Sequence, residues 1–165
     1  MKTLYLARHA KSSWKVQGLT DFERPLNEKG NKTAPFMGAL LKKLNAVPER
    51  IVTSTAVRAL STAQYFAHEF GYSQQEIELK QELYLANVIN IIQIVQKFDD
   101  SYNSAMVIAH NPGISDTASL LTGGFPEDMP TAAVVALTFD VDEWKAVEVG
   151  KGKILFYEFP KKHKQ

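Results

Sequence analysis

Two kinds of apolar pattern alternate along the chain. Short unbroken runs, Leu4 to Ala7 and Ser104 to Ala109, have the length and composition of strands buried on both faces. Between them apolar residues recur at helical spacing. Thr33, Phe36, Met37, Leu40, Leu41 and Leu44 form one stripe, with Lys32, Lys42 and Lys43 on the opposite face, and Phe36 and Met37 are expected in the core. Val57, Leu60, Tyr65, Phe66 and Phe70 form a second, Ile91, Ile92, Ile94, Val95 and Phe98 a third within 87–98, and Ile114, Ala118, Leu120 and Leu121 a fourth. Asn27 caps the first helix, Ser54 or Thr55 the second, which Gly71 closes, and Asn111 the fourth, with Pro112 in its first turn and Gly123 at its end. Arg50 to Ser54 and Ile77 to Leu79 are short strand candidates. Ala132 to Phe139, Trp144 to Val149 and Ile154 to Phe159 carry strand signals too, with a turn at 150–152, and extend one sheet edge in a pairing that antiparallel strands would satisfy. Strands alternating with helices imply an α/β fold, a mainly parallel central sheet with helices on both faces. No repeat or linker interrupts 1–165, which is expected to be a single domain.

Composition narrows the chemistry. The chain of 165 residues has no cysteine, which excludes disulfides, thiolate metal sites and cysteine nucleophiles and is compatible with a reducing cytosol. A formal charge of +1 supplies no global field for nucleic acid or an anionic membrane, so any anion site must be local. Arg8 breaks the N-terminal apolar run too early for a signal peptide, and no window reaches the ~20 apolar residues of a membrane span. The expected location is cytoplasmic. The basic run 160–165 reads as a solvated end.

The candidate chemistry sits where strands stop. The first ends in Arg8, a planar fork of donors suited to a phosphoryl group, followed by His9, whose neutral imidazole is a nucleophile. A long loop to Asn27 carries Trp14, expected as a cover over apolar surface, and Arg24, which either salt-bridges Asp21 or Glu23 or reaches the strand end. Arg58, in the first turn of the second helix, opposes the macrodipole: it is either a tolerated surface arginine or a partner of a bound anion. His110 follows another buried strand at the edge where α/β sheets bind ligands. His68 and His163 read as structural or exposed, and Gly123-Gly124 as a helix stop. Three strand ends sharing one rim would bring two arginines and two histidines together, a group that repels itself unless it holds an anion such as phosphate.

These segments resemble the histidine phosphatase superfamily: the strand ending in Arg8-His9, Ser54-Thr-Ala-Val-Arg58-Ala-Leu-Ser-Thr-Ala63, and the strand ending in His110. With Asp21-Phe-Glu-Arg-Pro-Leu-Asn-Glu-Lys-Gly30 the chain is most similar to SixA-like phosphohistidine phosphatases. The resemblance implies a phosphoglycerate mutase-like three-layer α/β/α sandwich. It implies a metal-independent phosphatase without cofactor, in which His9 becomes a covalent phosphohistidine while Arg8, Arg58 and His110, helped by Arg24, hold the phosphoryl oxygens. Ala10 stands where the superfamily usually has glycine. Glu82 lies where many members carry an acidic proton donor, but without their acid-rich surroundings, and is either a general acid or an exposed loop carboxylate. A chain short of residues for a cap, with this acid in question, favours P–N substrates. The implied substrate is a phosphorylated protein, such as a histidine-phosphorylated signalling or phosphotransfer domain; a phosphomonoesterase or mutase-like enzyme acting on a small phosphoester is the alternative, and a non-catalytic phosphate-binding scaffold a further one. A monomer is expected.

Overall fold

The structure, a computed structural model, describes residues 1–125 and 128–163; the end of the basic tail, Lys164 and Gln165, lies outside the described residues. The elements are β1 (Lys2–Arg8), α1 (Glu28–Lys43), β2 (Ile51–Thr53), α2 (Val57–Phe70), β3 (Ile77–Leu79), α3 (Val88–Gln96), β4 (Ser104–Ala109), α4 (Gly113–Thr122), β5 (Val134–Phe139) and β6 (Lys153–Glu158). They form one sheet in the order β3-β2-β4-β1-β5-β6. The first four strands in that order run parallel, β5 is antiparallel to β1, and β6 pairs antiparallel with β5. The sheet is therefore mainly parallel, with the antiparallel extension at the edge that the last strands were expected to form.

Both faces are covered, which is why β1 and β4 read as continuous apolar runs. Successive residues point to opposite sides. Leu4 and Leu6 join Val107, Ala109, Val135 and the buried residues of α3 and α4, while Tyr5 and Ala7 join Met106, Ile108, Val134 and those of α1 and α2. The result is a three-layer α/β/α sandwich.

The connection leaving β1 runs through α1 on one face and passes over β4 to reach β2; the connection leaving β4 runs through α4 on the other face and passes over β1 to reach β5. The carboxyl ends of neighbouring β1 and β4 are thus a topological switch point, where a crevice opens. His9 and His110 are the residues that follow these two ends. Two close backbone approaches fix the crevice walls. A Cβ on Gly30 of α1 would lie 2.1 Å from the Lys11 carbonyl oxygen, and one on Gly113 of α4 would lie 2.0 Å from that of Ala86. Only glycine lets these helices seat directly on the loops after β1 and after β3.

Four local expectations change. Trp144–Ala146 is a 3-10 turn and not a strand, because the fully buried Trp144 packs edge-on against Phe98 and donates from Nε1 to the Tyr102 carbonyl, which a regular strand would not place there. Phe36 is 44% exposed: the face of α1 that packs inward is Ala34, Met37, Gly38 and Leu41, one residue out of phase with it. Ala56, not Ser54 or Thr55, occupies the cap position of α2, and Ser54 Oγ instead accepts from the Ala56 N–H. Pro112 occupies the corresponding position of α4; Asn111 accepts from Ser115 Oγ and donates to the Met129 carbonyl. Asn27 caps α1 as expected, accepting from the Gly30 N–H.

Candidate active site

The switch point opens into a cavity of about 370 Å³ whose lining includes Arg8, His9, Arg24, Arg58 and His110. The sequence-predicted cluster is thus brought together from the ends of β1 and β4, the first turn of α2 and the loop before α1. Glu82 is set apart. It is exposed and lines a different recess, with Arg50, Glu78 and Lys80, because the 3-10 turn Gln81–Leu83 commits Leu83 to the core and leaves its neighbour outward.

His9 is buried, and its Nδ1 lies 2.7 Å from the carbonyl oxygen of Ala10. A carbonyl only accepts, so Nδ1 carries the proton and Nε2 keeps its lone pair. Burial, and then the nearby Arg58, Arg8 and Arg24, push the His9 pKa down to about 4. The ring is therefore neutral at pH 7. His110, its ring centroid 5.0 Å from that of His9, is pushed down to about 3, by burial first and by His9 and Arg58 next. His110 Nε2 shares a 2.8 Å hydrogen bond with Ser54 Oγ.

Two buried donors in this cluster have no hydrogen-bond partner: Arg8 Nε, and His110 Nδ1 when that nitrogen carries the ring proton. Buried polar groups without partners are rare in folded proteins and cost about 1–3 kcal/mol each. Both belong to residues that line the cavity. Among the described lining residues Arg8, Lys11, Arg24 and Arg58 stand against the single carboxylate of Asp21, so this lining favours an anion. Among the described residues no cluster of three or more His, Asp or Glu is arranged to hold a metal ion.

Asp21 organises the cations. It takes Arg24 Nη1 at 2.8 Å on one carboxylate oxygen; the other accepts Arg58 Nη2 at 3.0 Å and the Tyr84 hydroxyl at 2.6 Å. Its own carbonyl accepts Arg58 Nη1. Tyr84 first, then Arg24 and Arg58, hold the carboxyl well below the usual carboxylate range. Arg24 thus satisfies both of its sequence readings, bridging Asp21 and lining the cavity. Its guanidinium also donates to Ser13 O and to Ser12 Oγ, and its carbon sits 3.2 Å from the centroid of the Trp14 ring. Trp14 accordingly covers a guanidinium and not apolar surface, and is 80% exposed.

The sequence profile of the histidine phosphatase superfamily (branch 1) matches residues 4–88, just over half of the chain. The chain belongs to this superfamily. Within it the fold is SixA-like. The structure of a SixA protein from Agrobacterium tumefaciens is 26% identical and superposes with a TM-score of 0.81 over 96% of this chain and 98% of that one. A protein histidine phosphatase SixA complexed with tungstate, 22% identical, gives a TM-score of 0.83 over 98% of this chain and 99% of that one. An uncharacterised protein of Mycobacterium leprae is 25% identical over 93% of this chain and 99% of its own.

For a superfamily member, Ala10 is informative. Its backbone φ is not positive, its methyl is fully buried in the core, and its N–H is held by Thr62 Oγ1, so the position accepts a Cβ without strain. The residues that sequence reasoning did not assign to the site are Asp21 as the hub and Tyr84 as its hydroxyl donor; Tyr84 also packs edge-on against the His110 ring. The one local signal was the presence of Asp21 three residues before Arg24.

Proposed function

We propose that this protein is a phosphatase that acts on protein phosphohistidine, with His9 as the nucleophile. The observation that carries the reading is the His9 tautomer: Nδ1–H is committed to the Ala10 carbonyl, leaving a neutral Nε2 in a cavity lined by Arg8, Arg24 and Arg58. Nε2 attacks phosphorus, the bond to the substrate's imidazole nitrogen breaks, and the departing ring takes a proton from solvent. The phosphoryl group is then on His9, whose ring charge is offset by the Ala10 carbonyl. Water displaces phosphorus from Nε2 and restores the neutral ring, releasing inorganic phosphate.

Arg8 and Arg58 hold equatorial oxygens, with Arg24 at the mouth. His110 joins them through Nδ1–H. Ser54 is buried and its hydroxyl has no other acceptor among the described residues, so its hydrogen is directed to His110 Nε2, which places the ring proton on Nδ1. The preference for a P–N bond is supported by the absence of a proton-donating carboxylate among the described residues that line the cavity. Asp21 is held ionised by Tyr84, Arg24 and Arg58, and Glu82 lines another recess. An alkyl ester needs its leaving oxygen protonated, whereas imidazole, with a pKa of about 6.5, is protonated near neutrality.

Phosphohistidine peptide, phosphoramidate, aryl phosphate and alkyl phosphate should be compared with chelator present. The first two are expected to turn over fastest, and rapid quench at neutral pH should leave phosphate on His9. His9→Ala should lose on the order of 10⁴-fold or more in rate. Faster turnover of alkyl phosphate would assign the site to a phosphomonoesterase, and wild-type rates in His9→Ala would remove His9 from the nucleophile's role.

A further inference from the structure

Beside the catalytic cavity lies a second groove of about 730 Å³, between the loop after β1 and the first turns of α1. The two recesses share Lys11, Ser12 and Trp14 as a common wall. The groove is basic: among the described residues, Lys11, Lys15, Lys29 and Lys32 line it against the single carboxylate of Glu28, which pairs only loosely with Lys32 at 3.6 Å. In a chain whose formal charge is only +1, this is a local concentration of charge next to the phosphoryl site. Trp14 divides the two, one ring face stacked on the Arg24 guanidinium and most of its surface open to solvent.

We propose that this groove docks an acidic polypeptide segment flanking the phosphohistidine of a protein substrate. The inference rests on the phosphohistidine reading above and names the surface that would select among such proteins. The two recesses use different cations. The catalytic cavity presents arginines, whose rigid forks are fixed by Asp21, Ser12 and Ser13. The groove presents exposed lysines, hydrated point charges on flexible stems, which suit carboxylates spread along a chain better than one small dianion demanding fixed geometry. The groove also has about twice the volume of the cavity, and the exposed Trp14 and Val16 offer apolar contact to backbone and aliphatic stems. A histidine side chain seated in the cavity would leave its neighbouring residues at the Trp14 wall, directly over the lysines.

Three synthetic phosphohistidine peptides test this, with Asp/Glu, Ala or Lys flanking the same phosphohistidine, and phosphoramidate serves as the small substrate. Wild-type enzyme should show kcat/KM for the acidic peptide on the order of tenfold above the lysine peptide at low salt, a ratio that shrinks with added NaCl. The triple variant Lys15→Glu/Lys29→Glu/Lys32→Glu, checked for an unchanged Tm, should lose or reverse that ratio while phosphoramidate turnover stays within about twofold. Equal rates on the three peptides with wild-type enzyme, or a ratio that survives the triple variant, would overturn the docking site while leaving the phosphatase reading intact. A small bisphosphate that competes with the acidic peptide for wild-type enzyme alone would also overturn it, assigning the groove to a metabolite. Turnover of neither phosphoramidate nor any peptide would overturn the phosphohistidine reading and this inference together.

Discussion

Strand β1 carries a cation at each end, Lys2 buried and Arg8 half-buried, and the two are treated in opposite ways. At its start Lys2 is 1% exposed, yet its ammonium donates to the carbonyls of Asp100 and Tyr102 and to Asn103 Oδ1 and lies 5.6 Å from the centroid of the Trp144 ring. All three of its donors have acceptors within the protein. At the other end Arg8 spends one donor on the Met129 carbonyl and its Nε has no partner; burial lowers its pKa, the nearby Asp128 opposes that shift, and Arg58 adds charge of the same sign. A structural cation closes its hydrogen bonds on the protein itself; one that serves a ligand keeps donors in reserve at a cost in stability.

The contrast is sharpest in paired variants. Arg8→Ala should lower kcat/KM about 10²- to 10³-fold and abolish the rise in Tm caused by tungstate, while changing stability by no more than about 1 kcal/mol. Lys2→Met should do the reverse. With the Asp100 carbonyl and Asn103 Oδ1 left without a donor and the Tyr102 carbonyl keeping only Trp144 Nε1, Tm should fall by roughly 5 °C, with kcat and the tungstate shift retained. A large activity loss in Lys2→Met, or an unchanged tungstate shift in Arg8→Ala, would dissolve the distinction.

The pH dependence extends it to the histidines. His9 and His110 have folded-state values of about 4 and about 3, below the ~6.5 of an unfolded chain. Above pH 6.5 neither state binds the proton and these groups leave stability unchanged. As pH falls below 6.5 the unfolded chain takes up protons that the folded protein refuses, so stability declines until about pH 4 for His9 and pH 3 for His110. Chemical denaturation between pH 7.5 and 4.5 should show a loss on the order of a few kcal/mol, with a smaller slope in His110→Phe. The acid limb of kcat/KM should lie near pH 4 and not near 6.5, since the free enzyme keeps His9 neutral.

The smallest effect belongs to Glu82. Glu82→Gln should stay within about twofold of wild type on alkyl phosphate and on phosphohistidine peptide alike, measured at steady state, because a positioned general acid contributes about 10²-fold or more and this carboxylate lines another recess. A 10²-fold loss on the ester alone would restore it as the proton donor.

What could be read along the chain was what local pattern encodes. The apolar runs of β1 and β4 announced their own ends, so Arg8, His9 and His110 were legible as rim residues, and the Asn27 cap and Gly71 stop fixed α1 and α2. Asp21 was legible only as a neighbour of Arg24. Its partners Arg58 and Tyr84 lie 37 and 63 residues further on, and no local periodicity reports such contacts. Trp144 was misread for a related reason: its neighbourhood has strand-like composition, but its conformation is set by Phe98, Asp100 and Tyr102, on a segment far from it in sequence. Glu82 was left with two readings along the chain, and the 3-10 turn that commits Leu83 to the core leaves it exposed, as the second of them expected.

Thr62 gives the scaffold a further property. Its single hydroxyl accepts from the Ala10 N–H and donates to the Arg58 carbonyl, so the chain just after His9 and the first turn of α2 are joined backbone to backbone through one oxygen. The spacing between His9 and Arg58 is thereby gauged by a strut that is not among the residues lining the cavity. Side chains around the mouth, Trp14 and the lysines among them, can be exchanged without disturbing that spacing. Recognition can drift between related proteins while the reacting geometry stays in alignment.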